Sequence, residues 1–273
     1  MKRGYNLKAV LLLELISMLV GVPIAYMFVS RLSSSDYLQA VGFFTRYLLL
    51  IVVSAIILAF IGMVLEFVIS KSLLHTRNGS VSDYFSNIRY LRGHFFLALI
   101  VLALVEGIVN IPVAILTQGL DVADAIDGGF SAGMIAIVVI GQILSFIIKL
   151  LFAYNSLVVV DNLHLTMGEL IGENFKVGKD LLGKTFITHL KYYILPYIGL
   201  VILLVILMMT GMQTFDYTTM DSIGSLIGSF AILIVLVGIW TIFANSFVAG
   251  ELSSHYLNYK DRNKNNIDGI IVD

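Results

Sequence analysis

The chain has 273 residues, of which 59% are hydrophobic and 13% charged. Water-soluble domains run near ~45–50% apolar and ~25% charged, so water is not the main solvent of this chain. A net charge of −1 offers no basic surface for nucleic acid, and the lack of cysteine excludes disulfides, thiolate metal sites and cysteine nucleophiles.

A bilayer core of ~30 Å needs ~20 apolar residues in a helix. Six stretches meet that length: 8–30, 47–69, 95–117, 134–158, 191–210 and 224–249. They predict an all-α integral membrane protein, a single polytopic domain over 1–273. The first span starts with basic residues, as a secretory signal does. Its apolar run is too long for one, so it is expected to be retained.

Lysine and arginine sort the connecting segments. Lys2, Arg3 and Lys8 precede span one. Lys71, Arg77, Arg89 and Arg92 follow span two, Lys176, Lys179 and Lys184 follow span four, and Lys260, Arg262 and Lys264 lie in the tail. The alternate loops carry little basic charge, and those at 118–133 and 211–223 carry none. The positive-inside rule then predicts both termini cytoplasmic, and the membrane expected is the bacterial cytoplasmic one.

The chain also repeats. Arg3–Ala25 matches Arg92–Ala114 at an offset of 89, with identities at Arg3/Arg92, Gly4/Gly93, Ala9/Ala98, Leu13/Leu102, Leu15/Leu104, Val20/Val109, Pro23/Pro112 and Ala25/Ala114. At an offset of 90, residues 76–96 match 166–186 at Thr76/Thr166, Phe85/Phe175, Leu91/Leu181, Gly93/Gly183 and Phe96/Phe186, and Asn155-Ser156 matches Asn245-Ser246. Phe67-Val68 matches Phe247-Val248 at 180. The expected plan is three tandem two-helix repeats, 3–92, 93–182 and 183–260, with a tail at 261–273.

The inner linkers are patterned. Val81, Tyr84, Phe85, Ile88 and Leu91 fall at helical spacing opposite Asp83, Asn87 and Arg89. Thr166-Met167-Gly168-Glu169 reads as a capping box that opens a helix with Leu170, Ile171, Phe175, Leu181 and Leu182 apolar. Such amphipathic helices are expected along the inner interface, basic side toward anionic lipid.

Residues 151–190, with Val159-Val160-Asp161, Glu169-Leu170 and Lys176-Val177-Gly178-Lys179, resemble uncharacterised bacterial six-helix membrane proteins. Those proteins are related to the membrane domain of glycerophosphodiester phosphodiesterases. The resemblance implies a multi-span helical unit, sometimes fused to a soluble enzyme, and carries over no catalytic residue. The Pro-x-acid-x-x-base motif of mitochondrial carriers, another three-unit family, is absent after Pro23 and Pro112.

No catalytic constellation emerges, and no metal or cofactor is expected. Gly129-Phe130-Ser131-Ala132-Gly133 fits G-x-S-x-G, but that motif needs a strand-to-helix turn. A rhomboid-like protease would need a histidine in the sixth span, and 224–249 has none. Asp121, Asp124 and Asp127 recur every three residues without the spacing of an EF-hand, and the histidines form no ligand pair.

The intramembrane polar residues are the main candidates. Glu106 on span three and Lys149 on span four sit at depths that differ by roughly 3 Å at 1.5 Å per residue. A lone charge at mid-bilayer costs at least ~2.5–3.5 kcal/mol, so the two are expected to pair, as a lined pathway or as an interhelical staple. Glu14 is a second partner, with Asn110, Gln142, Asn155 and Asn245 as polar company.

The function expected is that of a non-enzymatic membrane protein, a transport-associated or accessory unit. The alternatives are a permease-like subunit of an ATP-driven exporter and a lipid-modifying enzyme resting on Asp161. Expected partners are the lipid bilayer and other membrane or ATPase subunits.

Overall fold

The computed structural model describes residues 4–32, 37–118, 132–203 and 220–270, with side chains for 4–19, 46–115, 136–203 and 236–264. Every regular element among them is helical. In chain order these are α1 (Leu7–Leu32), α2 (Tyr37–His75), α3 (Val81–Ser86) with a 3-10 turn at Asn87–Tyr90, and α4 (Gly93–Gln118). Then come α5 (Ala132–Leu151), α6 (Asn155–Asp161), α7 (Met167–His189) and α8 (Met220–Ile270). A π-helical turn at Leu190–Ile194 continues α7, and the chain stays helical to residue 203.

Five helical stretches among the described residues are long and apolar enough to cross a membrane: Arg46–His75, Gly93–Ile115, Ala136–Asp161, Met167–Leu203 and Leu236–Lys264. The remaining expected span, 8–30, is one continuous helix within α1, but its side chains from residue 20 on lie outside the described residues. Large apolar side chains project outward along these stretches, among them Leu49 at 78% exposure, Ile115 at 67% and Ile108 at 64%. Water does not tolerate apolar belts of that extent; lipid does.

The fourth stretch, Met167–Leu203, differs from the expectation of a linker helix followed by a separate span at 191–210. Residues 167–203 form one helical run that continues through the π-helical turn at Leu190–Ile194 and past Pro196. Helices α2 and α8 likewise overrun the expected spans 47–69 and 224–249. Residues 119–131 and 204–219 lie outside the described residues, and with them Asp121, Asp124, Asp127 and Ser131 of the G-x-S-x-G pattern.

The chain divides into two compact units. The first comprises Arg3–Ile88 together with Ile187–Glu251. In it α1 packs on α2 and α3, burying Ala9, Val10 and Leu13 with Phe67, Val68, Leu73 and Tyr84. Local hydrogen bonds fix the entry of α1. Asn6 accepts from the amide of Ala9 at 3.2 Å and donates to the Gly79 carbonyl at 2.8 Å. Arg77 donates to the carbonyls of Gly4 and Leu73 at 3.1 and 2.9 Å.

Helix α3 opens with a capping box. Ser80 N–H donates to the Asp83 carboxylate at 2.7 Å, and the Asp83 amide donates to Ser80 Oγ at 3.3 Å. Those bonds hold the exposed Asp83 carboxyl below its usual range.

The second unit comprises Arg89–Phe186 and the residues from Leu252 on. Here α4 packs on α5 and on α6, and Phe95, Ala98 and Leu102 are buried along α4. The expected capping box at Thr166 and Glu169 is present: Thr166 N–H donates to the Glu169 carboxylate at 2.8 Å. Leu170, Asn174, Val177, Leu181 and Thr185 form the buried stripe of α7 at helical spacing. Asp161, at the end of α6, accepts from Tyr256 at 2.8 Å and pairs with Lys260.

Candidate functional site

In the first unit, polar side chains from three helical segments meet. Glu14 lies two turns into α1, on a helix whose start is pinned by Asn6. Asn245 of α8 donates its amide to Glu14 Oε2 at 3.3 Å. The hydroxyl of Tyr193, in the π turn, donates to Asn245 Oδ1. One turn away, Thr241 spends its proton on the Val237 carbonyl at 2.8 Å, so the Tyr197 hydroxyl is the donor in its 2.8 Å bond to Thr241 Oγ1. The rings of Tyr193 and Tyr197 stack 6.2 Å apart.

Beside this chain lies a cavity of about 280 Å³ lined by Glu14, Ser17, Met18, Gly238, Thr241, Ile242 and Asn245. A water occupies ≈30 Å³ in the liquid, so the space exceeds what a single ion or water fills. Among the described residues no Lys, Arg or His bonds to Glu14; Asn245 is its hydrogen-bond partner. Lys191 is committed elsewhere. It lies 3.9 Å from Glu251 and donates to the Tyr192 hydroxyl at 2.7 Å.

Two of the candidates read from the sequence, Glu14 and Asn245, are therefore brought into contact. Ser17, Tyr193, Tyr197 and Thr241 join them without having been singled out. A visible signal was Pro196, which lies inside a long helix within reach of both tyrosines in sequence.

The other candidates fall in the second unit. Glu106 is half-buried on α4, and Lys149 is exposed on α5, the helix packed against it. Lys149 is the charge that acts on Glu106, yet the two make no ion pair within 4 Å. Asn110 and Asn155 are half-buried, each with a side-chain oxygen that has no partner among the described residues, and Gln142 is exposed. None of these three bonds to another candidate. No group of three His, Cys, Asp or Glu side chains able to hold a metal ion occurs among the described residues.

No protein-family model, no curated protein and no solved structure matches this chain.

Proposed function

We propose that the protein is a transport-associated unit of a bacterial cytoplasmic membrane, with both termini cytoplasmic, and that its exchange site is centred on Glu14. The observation that carries this reading is a carboxylate within an apolar membrane helix, beside a cavity and without a basic partner among the described residues. In hydrocarbon such a group needs a proton or a bound cation, since an uncompensated charge is costly there. Reversible uptake and release of that partner is the chemistry of transport sites. The Tyr193–Asn245–Glu14 chain holds the carboxylate in place while leaving most of its acceptor positions open.

The three-repeat plan has support of its own. Ala9 and its counterpart Ala98 are both buried, as are Leu13 and Leu102, whereas Leu15 and Leu104 are both exposed. Val68, Val158 and Val248, spaced by 90, are all buried. The lipid-modifying alternative gains nothing comparable, because Asp161 spends its carboxylate on Tyr256 and Lys260.

Reconstitution tests the transport reading. Vesicles holding the protein and an internal pH-sensitive dye are expected to dissipate an imposed pH gradient faster than vesicles holding Glu14→Gln. Equal rates would remove the reading.

A further inference from the structure

From the shape and chemistry of the Glu14 cavity we infer that its ligand is an organic ammonium ion with a compact apolar body. The inference rests on the transport reading of that site and adds the class of cargo. The polar lining is rich in acceptors. Glu14 supplies a carboxylate, and Thr241 Oγ1 has already given its proton to Val237. The donors in the lining are the Asn245 amide, used on Glu14 itself, and the Ser17 hydroxyl, which can accept as well. An anion would meet an uncompensated negative charge there, whereas a cation would satisfy it.

Size and wall chemistry narrow the cation further. A hard metal ion such as Ca²⁺ takes ~6–8 oxygen ligands at ~2.3–2.6 Å, and this cavity presents one carboxylate. Its volume of about 280 Å³ far exceeds an inorganic ion, and Met18, Gly238 and Ile242 supply apolar wall. An ammonium group beside Glu14 with a small hydrocarbon body against Met18 and Ile242 uses both parts of the lining. Gly238 keeps the space open: a Cβ there would stand 3.2 Å from the terminal methyl of Met18.

The test is titration calorimetry of the full chain in nonionic detergent with benzyltrimethylammonium, whose charge is permanent. Protein-free micelles are subtracted, and phenylmethanesulfonate serves as an anion of similar size. Saturable binding of the cation and none of the anion is expected. Glu14→Gln and Gly238→Val should each weaken binding by about tenfold or more, the first by removing the charge and the second by filling the space. Glu14→Asp should retain it, which separates loss of charge from loss of fold.

Equal binding of cation and anion, or undiminished binding by Glu14→Gln, overturns the inference. Absence of cation binding with the Glu14-dependent proton flux intact overturns the ligand class alone. Loss of that flux difference overturns the transport reading beneath it.

Discussion

The indole N–H of Trp240 donates to the backbone carbonyl of Tyr192 at 3.0 Å. That carbonyl lies four residues before Pro196, which has no N–H to return to it. The chain responds by widening to a π turn, in which the Leu195 amide reaches back to the Leu190 carbonyl. Inside a membrane an open carbonyl must be met by a neighbouring side chain, and Trp240 meets it. The same turn presents Tyr193 to Asn245, so the proline and the tryptophan together place the polar chain that reaches Glu14.

Trp240→Phe is therefore expected to cost about 1–3 kcal/mol, the range for leaving a buried acceptor unmet. In a Pro196→Ala background the loss should shrink, because the alanine N–H can bond to Tyr192. Unfolding in detergent measures the four corners of the cycle. Equal losses in both backgrounds would show that Trp240 acts through packing alone.

Gly178 is held against a backbone oxygen. A Cβ built on it would stand 2.0 Å from the carbonyl oxygen of Leu151, where α5 ends. Backbone cannot swing aside as a side-chain tip does, so Gly178→Ala must push α7 away and should cost about 1–3 kcal/mol. Gly183, on the same helix, has nothing within 4 Å of such a Cβ. Gly183→Ala should be neutral or stabilise by up to about 1 kcal/mol through helix propensity. Thermal midpoints of the two variants, compared in one detergent, check the contrast.

Glu106 and Lys149 offer a different kind of test. Because they sit on packed helices without an ion pair within 4 Å, their mutual contribution should be small. Glu106→Gln, Lys149→Met and the double variant are expected to add within about 1 kcal/mol. A larger coupling in vesicle-reconstituted protein would restore the pair as a staple.

The phenols of Tyr5 and Tyr84 should titrate late. Burial, with Tyr192 adding to it and Arg77 opposing, pushes the hydroxyl of Tyr5 up to about 12. Burial likewise pushes Tyr84 up to about 12, against the pull of Arg77. In the unfolded chain both would ionise near 10.0. The folded state thus keeps protons that the unfolded state has lost. The contribution is fully present below pH 10 and falls away as pH rises toward 12. In an ultraviolet titration of the folded chain, Tyr5→Phe with Tyr84→Phe should remove two phenols from the late phase and leave the number titrating near pH 10 unchanged.

Part of the polar site was legible in sequence. Glu14 and Asn245 stand out because a carboxylate and an amide are expensive in an apolar helix. Ser17 and Thr241 do not, since a small hydroxyl can bond to its own helix, as Thr241 does to Val237. Tyr193 and Tyr197 were hidden for another reason. Tyrosines at the start of a span are ordinary interfacial residues. Only their hydrogen bonds to residues 52 and 44 positions away reveal another use.

Composition and run length by themselves determined that the chain is helical and suited to lipid, because hydropathy is a sum over neighbours in sequence. The capping box at Thr166 was likewise readable, since all its bonds close within four residues. Which polar groups meet was decided only in three dimensions. Side chains on a helix advance about 100° per residue, so small rotations choose whether Glu106 faces Lys149 or Glu14 faces Asn245. Depth in the bilayer can be counted along the sequence, but facing depends on how the helices turn against one another, and that favoured Glu14.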